Sequence, residues 1–186
     1  MNKTMAMLVA GAGFVVYGLV KAQRQYQSDQ NQCKEFDLEV YPPHTDELTE
    51  LLTAAAPAAE VPSWWGGSHA LHDLIFRESK GWVGIPNYTY GQGDAGKKWG
   101  SNISNPKNRH KWKGIHEELK RGIKGARSTA TGIGQHILGN TERYYPDGSQ
   151  GIGDAYNEAV GFLRYVKERY KTPENALAFR ITNNWY

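Results

Sequence analysis

Arg77-Glu78-Ser79-Lys80-Gly81-Trp82 closes a short helical pattern and carries a carboxylate at its end. Leu71, Leu74 and Ile75 recur at i, i+3 and i+4, one apolar face of an α-helix. Glu78 follows Leu71 by seven residues and shares that face. A carboxylate so placed is directed to a core or a cleft. Burial disfavours the charged form, and a carboxyl still protonated near neutral pH is what a general acid needs. The competing reading is a helix-terminal glutamate bent back into solvent.

Downstream stands Ser128-Thr129-Ala130-Thr131-Gly132-Ile133-Gly134-Gln135. Glu-Ser followed by Gly-aliphatic-x-Gln resembles the lytic transglycosylase and goose-type lysozyme superfamily. The closing stretch resembles the tail of phage-encoded members: Arg169-Tyr170-x-Thr172-Pro173, then Ala176-x-Ala178-Phe179, then Asn183-Asn184-Trp185-Tyr186. The resemblance covers residues 68 to 186. It implies an α+β, mainly α, lysozyme-like fold with a small β or loop lobe. It also implies that Glu78 is the catalytic acid, that Ser79 supports it, and that Gly132, Ile133 and Gln135 line the sugar cleft. Tyr88, Asn184 and Tyr186 complete the set expected to contact the glycan.

Three divisions are expected: a membrane anchor over 1–21, a linker or stalk over 22–62, and a catalytic domain over 63–186 with a basic insert at 97–127. The 186 residues allow one domain plus an appendage. With 39% apolar and 12% aromatic residues there is enough to build a core, and the net charge of +3 is small. Cys33 is the single cysteine, so an internal disulfide is excluded and packing must hold the fold. Met5 to Val20 is uncharged and mostly apolar, flanked by Lys3, Lys21 and Arg24. As a helix it spans about 24 Å, short of the roughly 30 Å hydrocarbon core, and snorkelling lysines can cover the difference. A single-pass anchor in a virion membrane or a bacterial envelope is therefore expected. The rival is a cleaved signal peptide.

Thr45 is placed to cap a helix running to Ala56, with Asp46 and Glu47 at its positive end. Trp64 and Trp65 offer either a sugar-stacking platform or ordinary packing, one ring on the core and one partly exposed. Ile85 to Gly91 alternates like a short strand, and Gly91, Gly93 and Gly96 mark loops. The insert at 97–127 carries ten Lys and Arg against Glu117 and Glu118, a net of +8. A helix is expected in it from Lys111, with Trp112, Ile115, Leu119 and Ile123 on one face. Its opposite face suits a polyanion or is simply a solvated face. Asp154 is placed to cap the longest helix, which runs to Tyr170 with a stripe of Ala159, Val160, Leu163 and Val166. Thr172-Pro173 opens a last helix ending near Asn183.

Glycoside cleavage generally uses two carboxylates. The resemblance implies an exception. In lytic transglycosylases one acid protonates the leaving oxygen and then acts as base, the substrate acetamido group assists, and the muramic C6 hydroxyl closes a 1,6-anhydro ring. A hydrolytic lysozyme would add an aspartate, and Asp94 in the glycine-rich loop is the candidate, or else an ordinary turn residue. No metal and no cofactor are expected: His44, His69, His72, His110, His116 and His136 show no ligand spacing. The expected partners are peptidoglycan strands at the cleft, a membrane at 5–20 and a polyanion at 97–127. No specific nucleic acid is expected, although a non-catalytic, membrane-anchored virion or nucleic-acid-binding protein is the alternative of another class.

Overall fold

The computed structural model describes residues 36–87, 99–100, 102–123 and 128–185. The apolar segment 5–20, Cys33, Tyr88, Asp94 and Tyr186 lie outside them, as do Lys97, Lys98, Lys124 and Arg127 of the insert. Among the described residues no helix is long and apolar enough to cross a membrane.

The chain is mainly helical. Six α-helices occur among the described residues: α1 (Asp46–Ala55), α2 (His69–Glu78), α3 (Trp112–Lys120), α4 (Leu138–Tyr144), α5 (Ala155–Tyr170) and α6 (Pro173–Asn183). Three of them start as their caps dictate. The side chains of Thr45, Asp154 and Thr172 accept from the backbone N–H of Leu48, Asn157 and Asn175 respectively, three residues into α1, α5 and α6. Each cap stabilises its helix by about 1 kcal/mol. Helix α5 is the axis of the fold, with Ala159, Val160, Phe162, Leu163 and Val166 all fully buried. A buried Leu, Val or Phe there contributes about 1.5–3 kcal/mol. Helices α1, α4 and α6 pack on it, and α2 packs on α6.

The compact unit starts at Asp37, which corrects the expected linker over 22–62 for its described part. Leu48, Leu51, Leu52 and Ala55 of α1 are fully buried, so this helix is core and not stalk. The residues before it are tied down as well. Tyr41 N–H donates to the Gly81 carbonyl at 2.9 Å and Val83 N–H to the Glu39 carbonyl at 3.1 Å. At Gly81, with φ +82°, an added Cβ would stand 1.9 Å from the Tyr41 carbonyl oxygen. The turn after Glu-Ser therefore accepts no side chain at this point.

The expected strand at Ile85 is not formed over its described part. Among the described residues only single bridges occur, Val40 with Trp82, Pro86 with Thr131, and Thr131 with His136. Pro86 has no N–H to extend a ladder. The segment is instead stitched to the Gln135 loop by Asn87 N–H to the Ala130 carbonyl and Gly132 N–H to the Ile85 carbonyl, at 2.8 and 3.0 Å.

The basic insert contributes its own core. Ile103, Ile115 and Leu119 bury against Tyr145 and Ile152. The Trp112 indole donates to the Ile103 carbonyl at 2.6 Å, and the Trp99 indole donates to Glu118 at 3.0 Å. Helix α3 ends at Lys120, so Ile123 leaves the expected stripe and is exposed. Trp65 is buried and Trp64 exposed.

Candidate active site

Helix α2 delivers Glu78 at its last turn. Leu71, Leu74 and Ile75 sink into the core, and the side chain of Glu78 on the same face retains only 15% of its exposure. It lines a cleft of about 370 Å³ together with Arg77, Ile85, Asn87, Gln135, Arg180 and Asn184. Three residues expected at the site from separate stretches, Glu78, Gln135 and Asn184, thus meet around one space. Gln135 and Asn184 both adopt left-handed backbone, φ +50° and +58°. Asn tolerates that region well, and Asn184 uses it to cap α6, its N–H donating to the Arg180 carbonyl at 2.9 Å. The Gln135 amide nitrogen donates to the carbonyls of Ile85 and Gly132, at 2.9 and 3.0 Å. Its amide oxygen has no partner among the described residues, and so remains as an acceptor.

Gly132 and Ile133 were expected to line the cleft, and Ser79 to support Glu78 and contact the glycan; none of the three lines it. The Ser79 hydroxyl is buried; it donates to the Ile133 carbonyl at 2.8 Å and accepts from Gly81 N–H at 3.0 Å. It fastens the end of α2 to the glutamine loop and touches no open space. The Ile133 side chain is fully buried, because an apolar residue between two glycines is drawn into the core. Gly132 has φ +81°, and a Cβ there would come within 2.6–2.8 Å of the Glu158 carboxyl group. Strain at that φ and the clash together should make Gly132→Ala lose roughly 2–4 kcal/mol, read from urea unfolding. A loss under 1 kcal/mol would show that the loop can step aside.

Glu158, not singled out in the sequence, is the hub behind the cleft. It is fully buried. Its carboxyl oxygens accept N–H bonds from Gly84, Ile133 and Gly153 at 2.9–3.2 Å. Burial pushes its carboxyl up to about 7, while these three backbone donors pull it back. One signal was legible: Glu158 falls among Ala155, Ala159 and Phe162 at helical spacing, a charge on an apolar stripe.

Arg180 is the second residue the sequence reading missed. It lies four residues after the fully buried Ala176, on the inner face of α6. Its Nε donates to Glu78 Oε1 at 2.5 Å, and its own side chain is 18% exposed. The apolar surroundings expected for Glu78 are therefore corrected: an arginine stands against its carboxyl group.

The histidines at the other end of α2 lock structure. Buried His72 accepts the His44 N–H on Nδ1 at 2.7 Å and faces the Gly66 carbonyl through Nε2 at 2.9 Å, while His44 Nε2 sits 3.0 Å from Asp73. Among the described residues no group of three or more His, Cys, Asp or Glu is placed to hold a metal ion. No protein-family model, no curated protein and no solved structure matches the chain.

Proposed function

We propose that the protein is a peptidoglycan-cleaving lytic transglycosylase with a lysozyme-like domain. It cuts the β-1,4 bond between N-acetylmuramic acid and N-acetylglucosamine and leaves 1,6-anhydro-muramic ends. The observation that carries this reading is the meeting of Glu78, Gln135 and Asn184, which lie far apart in the chain, around one cleft. The carboxyl of Glu78 gives its proton to the leaving glycosidic oxygen, and the substrate acetamido group supports the sugar as that bond breaks. The resulting carboxylate then takes the proton of the muramic C6 hydroxyl as its oxygen closes the anhydro ring. Gln135 offers an amide oxygen to a sugar hydroxyl or acetamido N–H. The segment 5–20 serves as a membrane anchor, in keeping with a virion-associated enzyme that opens the wall for host entry or lysis, and the insert cations draw the enzyme to anionic wall polymer.

Mass spectrometry of muropeptides released from purified sacculi tests this. Anhydro-muramic products are expected. Reducing ends would mean hydrolysis, and no release would end the enzymatic reading. In the same assay Asp94→Asn should keep most activity. A loss of a hundredfold or more, the scale of a lost general base, would assign the water-directing role to Asp94 and make the protein a lysozyme.

A further inference from the structure

The residues that line the cleft include two arginines, Arg77 and Arg180, and one acid, Glu78. Tyr170, at the end of α5, also stands close enough to feel the charge of Glu78. With Glu78 ionised, Arg180 is balanced by a direct bond at 2.5 Å. An acid about to give up a proton is in a different state. Once Glu78 is protonated, its negative charge is gone and a guanidinium that is 18% exposed is left without a counter-ion. A mostly buried charge deprived of its partner is strongly unfavourable. A neutral glycan in the cleft does nothing to relieve this, whereas a carboxylate carried by the glycan does. Guanidinium is also the side chain best shaped to hold a carboxylate, through two parallel N–H donors. Of those donors only Nε is engaged by a described residue.

We propose that Arg180 recognises a carboxylate on the bound strand and exchanges Glu78 for it, so that binding of an acidic glycan is what frees Glu78 to carry a proton. The proposal rests on Glu78 being the acid of the proposed function. Arg180 is then the specificity-determining residue of the cleft. The substrate class is a carboxylate-bearing N-acetylated glycan, as opposed to a neutral one. In the free enzyme the ion pair is a resting state that keeps the acid out of use.

The test compares kcat/KM on two preparations of the same soluble peptidoglycan strands, one with free carboxylates and one with them converted to amides by carbodiimide coupling. The full chain is used in detergent. Wild type should favour the free acid by about ten- to a hundredfold, the scale of a charge-assisted hydrogen bond. Arg180→Gln should narrow that ratio to about twofold, chiefly by losing rate on the acidic strand, and Arg180→Lys should restore part of it. A purely structural role for Arg180 would lower both rates together and leave the ratio alone. Equal rates of wild type on the two preparations, or an unchanged ratio in Arg180→Gln, overturns the proposal. If the glutamine variant fails to fold, the wild-type comparison still decides. If Glu78→Gln cleaves the acidic strand as fast as wild type, it is the reading of Glu78 that has failed, whatever the ratio at Arg180.

Discussion

Glu78→Gln should abolish wall lysis while leaving the fold in place. The amide keeps the length of the side chain and an oxygen that can accept from Arg180 Nε, the contact that spans 2.5 Å in the native cleft. What it loses is the acidic proton. General acid catalysis contributes typically 10²–10⁴-fold, and here the same group is also required as the base of the second step. A fall of about a thousandfold or more is expected in a turbidity assay on purified walls. Thermal melting controls for folding: the transition should remain cooperative, at a midpoint lowered by the loss of the counter-ion of Arg180. Lysis by the variant at an undiminished rate would remove Glu78 as the acid and leave the cleft without one, since no other acidic residue lines it among the described residues.

The largest loss of stability is expected at Glu158. Glu158→Leu deletes every acceptor, so the buried N–H groups of Gly84 and Ile133, and that of the exposed Gly153, lose their partner at once. An unsatisfied buried donor costs about 1–3 kcal/mol, and two of them are a large part of the stability of a typical domain, about 5–15 kcal/mol. The leucine variant should be largely unfolded at 37 °C by circular dichroism, and a variant within 1 kcal/mol of wild type would refute the account. Glu158→Gln removes the titrating group, at the cost of turning one of the two accepting oxygens into a donor. The folded carboxyl titrates at about 7, above its ordinary 4.5, so the folded state holds this proton more tightly than the unfolded chain. The stability this contributes is complete below about pH 4.5 and is lost as pH rises through 7. Wild type should therefore lose about 3 kcal/mol relative to the glutamine variant between pH 4.5 and pH 8, measured by urea unfolding of both proteins across that range. A difference between them that does not change with pH would mean that Glu158 stays ionised throughout.

Helices that announce themselves by local chemistry were legible in the sequence. Thr45, Asp154 and Thr172 are caps followed by apolar residues at helical spacing, and each of those helices starts where its cap stands. Helix α4 was not. It has seven residues and no side-chain cap, and it buries only Thr141 and Tyr144, so it exists through contact with α5 more than through its own preferences. The site divides in the same way. Glu78 was legible because one helical face fixes where it goes. Ser79 and Ile133 lay beside the right residues in the chain yet fill the interior, since neighbours along a loop alternate between cleft and core. Arg180 required knowledge of which helix faces which, and Glu158, though marked as a charge on an apolar stripe, shows its partners only in the fold. The inner faces of α5 and α6 are defined by their partners, and a single sequence does not name those partners.

The Glu158 carboxyl holds backbone from residues 84, 133 and 153 in one grip. That joins the floor of the cleft to the most deeply buried helix of the fold, and it has a consequence for motion. A segment gripped in this way opens only together with the elements that grip it, so the glutamine loop cannot swing aside as an independent lid while α5 stays folded. Arg180 on the last helix and Asn184 at its C-cap, followed by an exposed Trp185, lie outside this grip, and what yields to an incoming chain is expected there. One side of the cleft behaves as an anvil, and the accommodation belongs to the other.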